Sequence, residues 1–76
     1  MPRVIRYFDK VTEGYIDEII LPPIPIEHLQ KIFRVAPDNP MYDSYPIDKA
    51  QKRFFNKYFH FEFNFDHFDY FLEYDD

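Results

Sequence analysis

Along Arg3–Asp9 (RVIRYFD), apolar pairs Val4–Ile5 and Tyr7–Phe8 lie between polar residues, in a stretch rich in β-branched and aromatic residues. That pattern predicts a first strand. Asp9–Gly14 (DKVTEG) predicts a turn closed by the only glycine of the chain. A glycine at the end of a short loop suits a positive φ, as in a bulged hairpin. Tyr15–Leu21 (YIDEIIL) then predicts a second strand, antiparallel to the first. Tyr15, Asp17, Ile19 and Leu21 share one side, and Ile16, Glu18 and Ile20 share the other. Both sides carry apolar residues, so the pattern leaves open which of them is core.

Pro22, Pro23 and Pro25 end the sheet pattern, since proline cannot donate to a ladder. Ile26, Leu29, Ile32 and Phe33 follow at helical spacing, with Glu27, Gln30, Lys31 and Arg34 outside the stripe. A helix is expected from Pro25 to Arg34, with proline tolerated at its first position. Glu27 in the first turn and Lys31 and Arg34 in the last suit the helix dipole. Ala36–Pro46 (APDNPMYDSYP) is expected to be irregular, because its prolines and Asp/Asn turn formers oppose helix and strand alike. Its Met41, Tyr42 and Tyr45 either plug the loop onto the core or face a partner. Asp48 opens a second helix, with Gln51 completing a capping box. Ala50, Phe54, Phe55 and Tyr58 form its apolar side, and Lys49, Lys52, Arg53 and Lys57 a basic stripe.

The last stretch, Phe59–Asp76 (FHFEFNFDHFDYFLEYDD), holds eight aromatic side chains and six carboxylates and no Lys or Arg. Phe61, Phe63 and Phe65 alternate with Glu62, Asn64 and Asp66. Beyond a bend expected at Asn64–His67, Phe68, Tyr70, Leu72 and Tyr74 alternate with Asp69, Phe71, Glu73 and Asp75. Period two predicts the last strand, with one aromatic face and one acidic face. The order β-β-α-α-β suggests a single α+β domain over residues 1–76. Its expected architecture is an antiparallel three-stranded sheet with two helices packed on one face.

Composition sharpens this picture in two ways. With 76 residues and no cysteine, the chain has neither a large core nor a disulfide or thiolate metal site. Ten Phe and seven Tyr must supply the apolar payload. Charge is also segregated. The stretch from Phe59 onward carries a formal −6, whereas residues 1–58 hold nine basic and eight acidic groups. Unpaired acids repel one another on folding, which suggests a basic partner; the Lys/Arg stripe of the second helix could instead lie beside them. The formal net charge of −5 argues against nucleic acid or an anionic membrane as partner. No apolar run or N-terminal leader pattern appears, and a cytoplasmic protein is expected.

The inventory for catalysis is thin. Ser44 is the only serine and Thr12 the only threonine, and a lone Gly14 excludes phosphate-cradling loops. His60, Glu62, Asp66, His67 and Asp69 could be drawn as a metal site, but no recognised ligand spacing supports one. No enzyme activity, metal or cofactor is expected.

The segments VIRYFDKVTEGYIDEIILP, EHLQKIFRVAPDNPMYDSYPI and FDYFLEYD span most of the chain. They resemble small bacterial immunity proteins found beside polymorphic and contact-dependent growth-inhibition toxins. Pro25 departs from that pattern at a position where a polar residue is usual. The resemblance carries over no site residue. It implies a protein that binds and neutralises one cognate toxin domain, a basic nuclease being the best match to an acidic, aromatic-rich surface. Glu62, Asp66, Asp69, Glu73, Asp75 and Asp76 are the candidate contact residues, followed by Tyr42 and Asp43. The alternative is a self-associating structural or regulatory module, with the terminal strand recruiting another strand at a sheet edge.

Overall fold

The computed structural model describes residues 3–75. In chain order the elements are β1 (Arg3–Asp9), β2 (Tyr15–Ile20), α1 (Ile26–Phe33), β3 (Tyr45–Ile47), α2 (Lys49–Phe55) and β4 (Phe68–Tyr74). The fold is a small α+β domain with a four-stranded sheet in the order β2-β1-β4-β3, every neighbouring pair antiparallel. The expected sheet lacked β3, a three-residue strand within a segment expected to be irregular. Nothing local marks β3. It contains Pro46, and its ladder exists because β4 presents a free side to it.

The β1–β2 hairpin forms where expected, with one difference in its turn. Glu13 adopts φ 63, and Gly14 has no positive φ. The Asp9 carboxylate accepts the N–H groups of Val11 and Thr12, both at 2.9 Å, and Glu13 N–H bonds back to the Asp9 carbonyl. This places the left-handed step one residue before the glycine. A Cβ on Gly14 would lie 3.3 Å from Thr12 Oγ1, so the glycine answers a close approach. α1 starts one residue later than expected, with Pro25 as its N-cap at ψ 132, and α2 follows its local signals. Asp48 and Gln51 form the reciprocal capping box at α2, and α1 ends at Arg34 with φ 57.

Along β4, Phe68, Tyr70 and Leu72 turn to the core, as the alternation predicts. Leu29 of α1 and Phe55 of α2 share one cluster with Ile5, Ile47, Tyr70 and Leu72, so both helices cover the same face of the sheet. Burying side chains such as Leu29 and Phe55, both 0 % exposed, contributes about 1.5–3 kcal/mol each.

The expected strand over Phe59–Asp76 is shorter than its pattern. Residues 59–64 pair with no strand, and a turn at 65–67 precedes β4. The bend lies where predicted, with Phe68 N–H donating to the Asn64 carbonyl at 3.0 Å. Phe59, Phe61, Phe63 and Phe65 do alternate inward with exposed His60, Glu62, Asn64 and Asp66. The segment is thus an extended arm without a ladder, because β1 and β3 already occupy both sides of β4. What holds it is Tyr70, whose ring lies 4.9 Å from Phe63, 5.4 Å from Phe65 and 6.0 Å from Phe61. The Tyr70 hydroxyl accepts the Asn64 N–H at 2.9 Å.

Candidate functional site

The helices leave the other face of the sheet uncovered. By strand alternation it carries Val4, Arg6 and Phe8 of β1, Glu18 and Ile20 of β2, and Asp69, Phe71 and Glu73 of β4. Arg6 is at its centre. Its Nε lies 3.0 Å from Glu18 Oε1, Nη1 2.9 Å from Glu73 Oε1, and Nη2 2.7 Å from Asp75 Oδ2. Each nitrogen is spent on a different carboxylate, and the group retains a formal charge of −2. Hydrogen bonds that it donates to Glu73, Asp75 and Glu18, in that order, hold the guanidinium above its ordinary pKa. Ser44 adds a donor to Glu73 Oε2 at 3.0 Å.

Aromatic rings stand beside the charges. Phe8 packs edge-to-face on Tyr15 and on Phe71, both at 5.9 Å. A β-bulge makes the first contact. Tyr7 faces Asp17 and Phe8 faces Tyr15, so Ile16 is the extra residue and Tyr15 turns to the open face.

The candidate contact residues do not form one surface. Glu73 and Asp75 lie in the Arg6 cluster. Asp69 is exposed at the start of β4, 3.9 Å from Lys10 Nζ. Glu62 and Asp66 sit on the aromatic arm instead, and line a hollow of about 650 Å³ with Lys49 and Lys52 of α2. Tyr42 and Asp43 are exposed in the loop before β3, and the Tyr42 ring packs at a tilt against Tyr74, 4.6 Å between centres. Arg3 holds that loop. Its guanidinium lies 5.0 Å from the Tyr74 ring centre and donates to the carbonyls of Met41 and Pro40. Of the loop's apolar groups, Met41 and Tyr45 plug into the core. Asp76 lies outside the described residues.

The basic stripe of α2 does approach the acids of the arm. None of its cations forms an ion pair among the described residues; the pairs present belong to Arg6 and Lys10. The five groups weighed as a metal site are not assembled either. His67 Nδ1 instead lies 3.2 Å from Asn64 Oδ1, and the described residues contain no cluster of metal-binding side chains.

β4 is an inner strand, which corrects the expectation that the terminal strand might form an edge. The edges are β2 and β3. The Leu21 N–H bonds to the Arg3 carbonyl at 3.0 Å, so Ile19 and Asp17 also face β1 and the backbone groups of Ile20 and Glu18 point outward. Carried across the sheet, the alternation turns Pro46 outward on β3, where a missing N–H costs no ladder bond and blocks further pairing. On β2 the Asp17 carboxylate accepts the outward N–H of Glu18 at 2.8 Å.

None of the candidate contact residues lies on β2. Among the described residues, four of the five exposed large hydrophobics belong to the β1–β2 hairpin: Val11, Tyr15, Ile16 and Ile20. The available signal was isoleucine on both sides of a strand whose second face no element covers.

A protein-family model described as a domain of unknown function, DUF7683, matches residues 2–73. No curated protein and no solved structure matches the chain. No helix among the described residues is long and apolar enough to cross a membrane.

Proposed function

We propose that this chain, which belongs to the DUF7683 family of domains of unknown function, is a binding protein: a cytoplasmic immunity protein that neutralises a cognate bacterial toxin domain. One observation carries this reading. The sheet face that the helices do not cover combines the negatively charged Arg6 cluster with the Phe8, Tyr15 and Phe71 rings. Carboxylates speed encounter with a basic surface, and aromatic rings supply anchors once contact is made. A nuclease with a cationic substrate cleft is the partner such a face suits best. The resemblance of the three sequence segments to immunity proteins points the same way.

The test is co-expression with the product of the adjacent upstream reading frame, tagged on that neighbour alone. A stoichiometric complex that survives moderate salt, and loss of the neighbour's nuclease activity within it, is the expected result. A neighbour that purifies alone and is harmless to its host overturns the proposal. Asp69→Lys and Asp66→Lys then report on the open face and the arm separately. The variant on the contact surface associates more slowly, with a larger defect at low salt. Glu73 and Asp75 are unsuitable for this purpose, because reversing them also breaks the Arg6 cluster. The self-association reading has less support, since its strand is internal and Pro46 closes the β3 edge.

A further inference from the structure

We infer that the free edge of β2 is a docking site for a basic extended segment of a partner protein, which lies along Glu18–Ile20 as a fifth strand. This goes beyond the toxin reading, since it requires a basic strand and no particular partner.

Three observations converge on the edge. First, β2 is the edge of the sheet without a proline block, because Pro46 occupies the outward position on β3. Second, exposed apolar side chains are concentrated there: Ile20 is 68 %, Tyr15 56 % and Ile16 45 % exposed. Third, the edge is rich in acceptors and poor in donors. Glu18 and Ile20 turn their carbonyls outward, Asp17 adds an exposed carboxylate beside the Glu18 carboxylate that Arg6 pairs, and the Glu18 N–H is already taken by Asp17. The strand carries no Lys or Arg.

This polarity selects the occupant. Edges are commonly protected by lysine, which repels basic and neutral strands alike. Here the central charges are acidic. A second copy paired about a two-fold axis at Glu18 would set Glu18 against Glu18 and bring the Asp17 groups close, which opposes a homodimer. A strand with Lys or Arg at those positions meets the carboxylates with donors. Its flanking apolar residues cover Ile16 and Ile20. Main-chain bonds to Ile20 supply the register, and the charges supply the selectivity.

The experiment follows backbone amides of the ¹⁵N-labelled protein by NMR during titration with two designed peptides. Both alternate valine and threonine with a charged residue, lysine in one and glutamate in the other. The lysine peptide is expected to shift the amides of Ile16, Glu18 and Ile20 saturably, and the glutamate peptide to leave them in place. Ile20→Pro removes an outward N–H and no ladder bond, so the folded variant should bind the lysine peptide at least tenfold more weakly. If Ile20→Pro does not fold, Asp17→Lys, at an exposed position, tests the charge requirement with the same expected loss. Equal response to both peptides, shifts confined to β4 or the helices, no response at all, or full affinity in the variants would each overturn the inference.

Discussion

Arg6 Nη1 meets Glu73 Oε1 at 2.9 Å although the β1–β4 register sets Glu73 opposite Val4 and Arg6 opposite Phe71. The contact is diagonal, within reach of a long side chain. It leaves Nη2 free for Asp75 and Nε free for Glu18 on the other neighbouring strand. One side chain thereby ties β2, β1 and β4 together on the face that no helix covers.

Arg6→Met should keep the aliphatic stem and lose all three pairs. The remaining carboxylates then repel one another. The side chains are 23–34 % exposed, so solvent already weakens each pair. The expected loss is about 1–2 kcal/mol in urea unfolding. It should shrink at high salt, where the repulsion is screened. A loss independent of salt would mean that packing, and not charge, accounts for it.

Tyr70→Phe removes the acceptor of the Asn64 N–H and keeps the ring at the centre of the aromatic arm. Asn64 is exposed, so water can replace part of the bond. A cost of about 1 kcal/mol is expected, seen as a lower Tm and faster amide exchange at Asn64. Unchanged exchange there would show that the hydroxyl does not anchor the arm.

The Asp9 carboxyl is held below its ordinary value of 3.8, first by the Thr12 N–H and then by the Val11 N–H. A folded pKa below the unfolded one gives stability that is complete above the unfolded value. That stability is lost as pH falls through the folded value. Asp9→Ala should therefore destabilise the hairpin at neutral pH, and the difference from the parent protein should vanish in acid. A difference that persists below the folded pKa would assign the effect to turn geometry instead of charge.

Sedimentation at low micromolar concentration should find a monomer, because both sheet edges resist a second copy. Replacing Asp17 and Glu18 by threonine frees the Glu18 N–H and removes the repulsion along β2. The double variant should self-associate. A stable dimer of the parent protein would instead revive the self-associating module.

What the sequence by itself determined is local. The β-branched and aromatic run over Arg3–Asp9, the Asp48–Gln51 capping box and the bend before Phe68 all rest on groups a few residues apart, so a short window contains their causes. The alternation of Phe59–Asp66 likewise announced an extended segment. Whether that segment joined a ladder depended on the sides of β4 being already taken. Tertiary structure alone decided that β4 is internal, that Tyr45–Ile47 is a strand, and that Glu73 and Asp75 are spent on Arg6, 67 and 69 residues away. It also decided which face of β2 is left over and which backbone groups it turns outward. Strand order and edge exposure depend on which distant segments meet, and charge and hydropathy at a single position are the same whichever neighbour arrives.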